Sequence, residues 1–157
     1  MAEPLKNQYG PDVPRRIAGM IAAVHPAFPV RAFLDDVLAG YDTLELMPRG
    51  RRIAEILHRH LPQDYLAASE ILLTSLGPIL TQTDRNGMAP FLYLSHVFFV
   101  AQYGLDHFER SMGLQYELTQ RFTAEFSIRP FLVRYPTQTL ARLKDWTRDP
   151  SPHVRRL

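Results

Sequence analysis

A glutamate in the last third of the chain lies between two arginines at helical spacing. Arg121, Glu125 and Arg129 follow one another at intervals of four residues, so on one helix each guanidinium would lie one turn from the carboxylate. Phe122 and Phe126 stand beside the acid. A carboxylate fixed among arginines and aromatic rings is held ionised, and it could stabilise a developing positive charge or position a water molecule. The alternative is a surface ion-pair series worth roughly a few tenths of a kcal/mol per pair.

A second group of candidate residues surrounds the only tryptophan. Trp146 lies three residues before Asp149, and Arg155 follows shortly after. In one interpretation the indole belongs to the core and Asp149 is a corner residue that bonds backbone amides or Arg155. In the other, the indole faces solvent and stacks on or touches nucleic acid. The sequence leaves both interpretations open.

The remaining chemistry-bearing residues indicate no metal site and no cofactor. His58 and His60 face different sides of a predicted helix, and His96 and His107 lack an acidic partner at ligand spacing. The sequence contains no cysteine, which excludes thiolate sites and disulfides. It also contains no glycine-rich phosphate loop, nucleophile elbow or Ser-His-Asp arrangement.

The charge is unevenly distributed along the chain. The net charge is only +2, but residues 122–157 carry seven basic and three acidic side chains, whereas the first 121 residues carry 11 and 13. All basic residues except Lys6 and Lys144 are arginine, which suits bidentate contacts to phosphate. A basic end on a near-neutral body is a modest indication of nucleic acid binding, although a solvated face has the same composition.

Length and composition predict one ordinary globular domain without a membrane segment. The 157 residues are 46% hydrophobic and 22% charged, and no apolar run is long enough to cross a bilayer. No apolar run follows a basic region at the start of the sequence, so we expect no targeting segment there. Together with the absence of cysteine, this favours a cytoplasmic location.

The periodicity predicts an all-α fold built from helix pairs. No window alternates with period two for long enough to form a strand. Apolar residues at helical spacing, separated by proline and glycine, predict pairs at about 12–39, 46–77, 87–121 and 123–148, with a new helix starting at 152. This spacing of roughly 40 residues is typical of HEAT-like repeats. An irregular helical bundle is the competing architecture.

Several local patterns refine this prediction. Residues 1–11 lack periodicity and predict a flexible arm before a domain over 12–157, and residues 81–87 predict a loop. The third helix should present its arginines, Arg49 among them, on its outer face. Asp106 and Glu109 have the spacing of a capping box.

The end of the sequence has the pattern of a helical-repeat corner. An apolar helix ends at Trp146, aspartate and prolines make the turn, and Ser151 can cap a helix that has Pro152 at its first position. Because so short a last segment is not stable alone as a helix, we expect further chain beyond Leu157.

Six segments together carry a family resemblance: LTQRFTAEFSIRPFL (118–132), Trp146 with Asp149, HVRRL (153–157), LELMxRG (44–50), LPxDY (61–65) and GMxPF (87–91). They resemble the AlkC-type DNA alkylation-repair glycosylases from about residue 12 onward. The stretch around Glu125 is the most specific part.

This resemblance implies a HEAT-like solenoid whose concave, basic face holds duplex DNA. It implies base-excision repair of cationic N-alkylated bases such as 3-methyladenine and 3-methylcytosine, without a pocket around a flipped base, in a bacterial, nucleoid-associated setting. A positively charged base already leaves readily, so a fixed carboxylate that stabilises an oxocarbenium-like sugar and guides water would suffice. A non-catalytic helical scaffold that binds DNA or protein is the alternative function.

The resemblance also implies roles for individual residues. Glu125 is the expected catalytic carboxylate, and Trp146 and Asp149 are further candidate contacts. The expected DNA-binding side chains are Arg121, Arg129, Arg148, Arg155 and Arg156. In the family the Val-Arg-Arg-Leu run continues into a segment with another active-site glutamate and an aromatic residue, which this sequence lacks. We therefore expect weak or no activity from this chain alone.

Overall fold

The computed structural model describes residues 5–80 and 89–157, and the regular secondary structure in these ranges is helical. The predicted loop over 81–87 lies outside them. The α-helices are α1 (Asp12–Val24), α2 (Val30–Leu38), α3 (Leu46–His60), α4 (Tyr65–Ser75), α5 (Leu94–Tyr103), α6 (Phe108–Thr119), α7 (Glu125–Arg134), α8 (Pro136–Trp146) and α9 (Pro152–Arg155). Three short 3₁₀ helices cover Leu5–Gln8, Tyr41–Thr43 and Ala89–Tyr93.

Glycine, proline and one aspartate set several helix ends. After α2, Gly40 adopts a left-handed conformation with φ 69°, which costs glycine little. Pro136 lies in the first turn of α8, where its missing N–H has no helical partner to lose. Asp64 caps α4, because its side chain accepts a hydrogen bond from the Ala67 amide at 2.9 Å.

The helices form two packed rows. Helices α3, α5 and α7 lie side by side in one row, while α1, α4 and α6 form the other. Helix α2 packs on α1 and α3, and α8 packs on α7 and contacts α6 through Trp146 and Tyr116. The predicted all-α, HEAT-like repeat fold of helix pairs is confirmed.

Helix α5 is buried on nearly every side, as its composition predicts. All seven residues from Leu94 to Val100 are buried, and the helix packs against α3, α6 and α7. The preceding residues Ala89–Tyr93 form a 3₁₀ helix instead of extending α5. The central helix therefore fixes the position of its neighbours in both rows.

The prediction that Arg49 lies on the outer face of α3 is wrong. Its side chain is buried, and its guanidinium donates to the carbonyl oxygens of Leu44 (2.8 Å), Lys6 (2.6 Å) and Tyr9 (3.0 Å). It also lies over the ring of Tyr41. Helical periodicity could not reveal this, because the residues that cover Arg49 come from the start of the chain.

That N-terminal segment differs from the predicted flexible arm over residues 1–11. Residues Leu5–Gln8 form a 3₁₀ helix, and Tyr9 is fully buried. The Tyr9 carbonyl accepts hydrogen bonds from both Arg49 and the Tyr41 hydroxyl. Residues 1–4 lie outside the described ranges, and the division into an arm and a domain over 12–157 stays a prediction.

The predicted capping box at Asp106 and Glu109 is also wrong. Helix α6 begins at Phe108, and neither carboxylate bonds its first amides. Asp106 instead pairs with Arg134 of α7 at 2.6 Å, and Glu109 pairs with Arg142 of α8 at 2.7 Å. The spacing fitted a local cap, but both acids contact helices that follow later in the chain.

Arg49→Ala should destabilise the fold strongly. The substitution removes the donor that the buried Tyr9 carbonyl and the partly buried Lys6 and Leu44 carbonyls share, so we expect a loss of about 2–5 kcal/mol in the free energy of unfolding. Urea denaturation followed by circular dichroism measures it.

The matched control is Arg52→Ala on the same helix. Arg52 is only partly buried, and its one hydrogen bond within the described ranges is to the Ala39 carbonyl at 3.3 Å, so its loss should cost less than about 1 kcal/mol. Equal losses for the two variants would contradict the assignment of Arg49 as an anchor of the N-terminal segment.

The stability of the fold should fall in mild acid because of His96. This side chain is buried, its Nε2 has no partner in the described structure, and burial lowers its pKa to about 4. The unfolded chain has the ordinary histidine pKa of about 6.5, so between these values it binds one more proton than the folded chain. Stability should therefore decrease from about pH 6.5 to pH 4, by about 3 kcal/mol for this group.

His96→Leu isolates this contribution. As the pH falls from about 6.5 to 4, the parent should lose stability relative to the variant, because leucine takes up no proton when the chain unfolds. A pH-independent difference would show that His96 is protonated equally in both states.

Candidate nucleic-acid interface

Glu125 is the first residue of α7, and its side chain is exposed. Its backbone N–H donates to Thr123 Oγ1 at 3.3 Å, while Ala124 before it is fully buried. A carboxylate in the first turn is favoured by the helix dipole. Within the described ranges Glu125 forms no ion pair. The structure thus presents an unneutralised carboxylate on a fixed helix end.

The predicted series of one acid between two arginines does not form. Arg121 lies in the turn between α6 and α7, where its Nε donates to the Gly77 carbonyl at 2.6 Å. Its Nη1 bonds the carbonyl and carboxylate of Glu117, the latter at 3.0 Å. A spacing of four residues brings two side chains together only within one continuous helix. The chain is not helical between Gln120 and Glu125, so Arg121 does not lie beside the acid.

Arg129 lies one turn after Glu125 on α7 and is exposed. Its guanidinium lies over the ring of Phe126, 5.5 Å from the centroid. The Phe126 ring in turn packs against Phe98 of α5 at 6.0 Å. Phe126, one of the two phenylalanines beside the acid in the sequence, therefore joins α7 to the central helix, whereas Phe122 precedes α7 and packs on Phe91 at 5.1 Å.

Asp149 has the role of a corner residue. One carboxylate oxygen accepts the Ser151 amide at 2.8 Å and the other accepts the Tyr116 hydroxyl at 2.9 Å. This hydrogen bond to the carboxylate raises the pKa of Tyr116. Arg155 donates to the Asp149 and Pro150 carbonyls at 2.7 and 2.9 Å. Ser151 precedes α9 as predicted, but its own side chain forms no cap.

Trp146 is buried at this corner, and its ring lies 5.7 Å from that of Tyr116. This arrangement favours the core interpretation over a stacking contact with nucleic acid. Arg148 and Arg156 are exposed, and neither forms an ion pair within the described part of the chain. Of the five predicted DNA-binding arginines, Arg129, Arg148 and Arg156 therefore have available guanidiniums.

The described residues contain neither a cluster suited to a metal ion nor a helix suited to a membrane. No group of three or more histidine and acidic side chains in residues 5–80 and 89–157 is arranged to hold a metal ion. In the same ranges no helix is long and apolar enough to span a bilayer.

Comparison with known proteins gives this geometry a context. The chain is 35% identical to an alkylpurine DNA glycosylase, AlkC of Pseudomonas fluorescens, whose solved structure contains DNA with an abasic-site analogue. The two structures superpose with a TM-score of 0.85 over 99% of this chain. The predicted resemblance to the AlkC family is confirmed.

The similarity is nevertheless confined to part of each relative. This chain covers 42% of the AlkC chain. It is also 32% identical over 154 residues to the uncharacterized protein YhaZ of Bacillus subtilis (strain 168), covering 98% of this chain and 41% of YhaZ. No protein-family model matches the chain. The chain thus spans about two fifths of the proteins that it resembles.

The corner around Asp149 should be important for stability. Asp149→Ala leaves the Ser151 amide and the Tyr116 hydroxyl without their acceptor, so we expect a loss of about 1–3 kcal/mol in unfolding free energy. Asp145→Ala is the control, because Asp145 is exposed on α8 just before the corner. Thermal and urea unfolding measure both variants, and an unchanged stability for Asp149→Ala would contradict its structural role.

Proposed function

We propose that the protein represented by this chain is a DNA glycosylase that excises cationic N-alkylated bases, of the 3-methyladenine and 3-methylcytosine type, from duplex DNA. The observation that carries the proposal is the similarity to AlkC over 99% of this chain at a TM-score of 0.85. The partner is alkylated duplex DNA, and the reaction requires neither metal nor cofactor.

The chemistry demands little from the protein. In the reaction the N-glycosidic bond breaks and its electron pair leaves with the base, which neutralises the positive charge of the alkylated ring. The sugar becomes oxocarbenium-like, a water oxygen adds to its C1′, and one proton is released. A carboxylate near the sugar stabilises the developing charge and orients the water.

Glu125 is the residue that we propose for this role. It is exposed at the start of α7, and no basic side chain neutralises it within the described structure. Its backbone is anchored by the buried neighbour Ala124. A preorganised, unpaired carboxylate of this kind can approach a substrate without first breaking an ion pair.

The proposed DNA contacts fall into two groups. Arg129, Arg148 and Arg156 are exposed and can meet phosphates directly. Arg121 and Arg155 already bond backbone carbonyls, so a contact with DNA would use their remaining donors.

A non-catalytic scaffold that binds DNA or protein is the second candidate. It is favoured by the structural contacts that occupy several of the predicted site residues: Arg121, Trp146, Asp149 and Arg155. On this alternative Glu125 is a helix N-terminal acid with no part in chemistry.

Release of methylated bases from alkylated duplex DNA separates the two candidates. We would compare the chain alone with the protein extended past Leu157. We expect the chain alone to be weak or inactive and the extended protein to excise bases. Glu125→Gln in the extended protein should lower single-turnover excision by about 100-fold or more.

Glu55→Gln is the matched control, since Glu55 is an exposed glutamate on α3 whose ion pair within the described residues is with Arg59. It should leave excision unchanged. Excision that survives Glu125→Gln would remove Glu125 from the mechanism. No excision by the extended protein, with its fold intact, would favour the scaffold.

A further inference from the structure

Two arginines from different helices lie on a pair of touching phenylalanine rings. Arg51 of α3 lies over the ring of Phe98 of α5, with 4.9 Å between its guanidinium carbon and the centroid. Phe98 and Phe126 lie 6.0 Å apart between centroids, tilted by 41°. Arg129 lies over Phe126 at 5.5 Å. We call these four residues the stacked arginine pair.

Both guanidiniums of the pair are free to bind an anion. Arg51 and Arg129 are exposed, and neither forms an ion pair or a hydrogen bond within the described ranges. This distinguishes them from five other arginines that pair with carboxylates: Arg59, Arg110, Arg121, Arg134 and Arg142. A ring stabilises the face of a guanidinium and leaves its N–H edge available. The pair therefore presents two sets of donors at fixed positions.

The rings are themselves held rigidly. Phe98 is only 5% exposed and belongs to the buried helix α5, which packs between α3 and α7. Phe126 is partly buried against the same core. Because the rings are fixed by packing, the two stacked arginines lose less conformational entropy on binding a ligand than unstacked side chains would.

We propose that the stacked arginine pair binds two phosphates of the duplex DNA backbone. This inference rests on the proposed function and adds Arg51, which the sequence did not single out. The two guanidiniums lie over different rings, and the repeating charges of a phosphate backbone match two such separate sets of donors. The planar guanidinium edge is well suited to bidentate phosphate contacts.

The pair also sets a position for the proposed catalytic residue. Glu125 directly precedes Phe126 in the sequence, and Arg129 follows it by one turn of α7. A phosphate bound at Arg129 would therefore bring one DNA strand within a helical turn of the Glu125 carboxylate. Arg51 would hold a second phosphate across α5 and orient the duplex on this row of helices.

The test is the salt dependence of binding to a short undamaged duplex, measured by fluorescence anisotropy on the extended protein described above. Arg51→Ala and Arg129→Ala should each weaken binding about threefold to tenfold at 0.1 M salt and reduce the slope of log K against log salt by about one. The double variant should reduce the slope by about two. Arg51→Lys should keep most of the slope, because it keeps the charge.

The matched control is Arg31→Ala, which removes an exposed arginine from α2 and the same unit of charge. It should change neither slope nor affinity by a comparable amount, and thermal unfolding confirms that each variant folds. A slope unchanged in the double variant, or reduced equally by Arg31→Ala, would overturn the paired site. Displacement of the DNA by inorganic phosphate at matched ionic strength would instead assign a small-anion site and also overturn it.

This outcome is separable from failure of the proposed function. If the parent binds DNA with a salt slope that is insensitive to both arginines but still excises bases through Glu125, only the paired site is wrong. If the slope depends on both arginines while excision is absent, the paired site stands and the scaffold alternative is favoured. A parent that does not bind duplex DNA would overturn both proposals.

Discussion

The burial of α5 is the constraint on which the rest of the structure depends. A helix whose seven residues from Leu94 to Val100 are all buried must be covered on every side, and α3, α6 and α7 provide that cover. Removing so much apolar surface from water is the main favourable contribution to the fold. It also fixes the direction of the two helices that flank α5 in its row, and the exposed Arg51, Glu125 and Arg129 lie on these two helices.

The sequence predicted those parts of the fold that are determined locally. Helix boundaries followed from proline and glycine, as in the turn after α2 at Gly40, and the buried character of α5 followed from its composition. Long-range contacts decided what the sequence could not predict. Arg49 belongs to an apparent polar face, but the segment around Tyr9 folds over it. Asp106 and Glu109 fit a cap, but bond α7 and α8 instead.

The candidate site shows the same limit. Spacing together with the family resemblance identified Glu125 and Arg129, and both are exposed on one helix. The spacing misled for Arg121, because the turn before α7 sends it toward Gly77 and Glu117. Arg51 was not singled out, since its relation to Phe98 arises only when α3 packs on α5. Sequence spacing identifies neighbours along one helix, whereas contacts among side chains of α3, α5 and α7 can be identified only from the fold.

The way in which Arg129 is held has a consequence for the acid one turn before it. An arginine and a glutamate at this spacing would ordinarily pair and neutralise each other. Here the guanidinium of Arg129 lies over Phe126, and the Glu125 carboxylate has no ion-pair partner in the described structure. Positive side chains can then attract a phosphate backbone while a free carboxylate remains beside it. The proposed excision of a cationic base from a polyanion needs both signs of charge close together, and the stacking of Arg129 on Phe126 leaves both signs available without an ion pair.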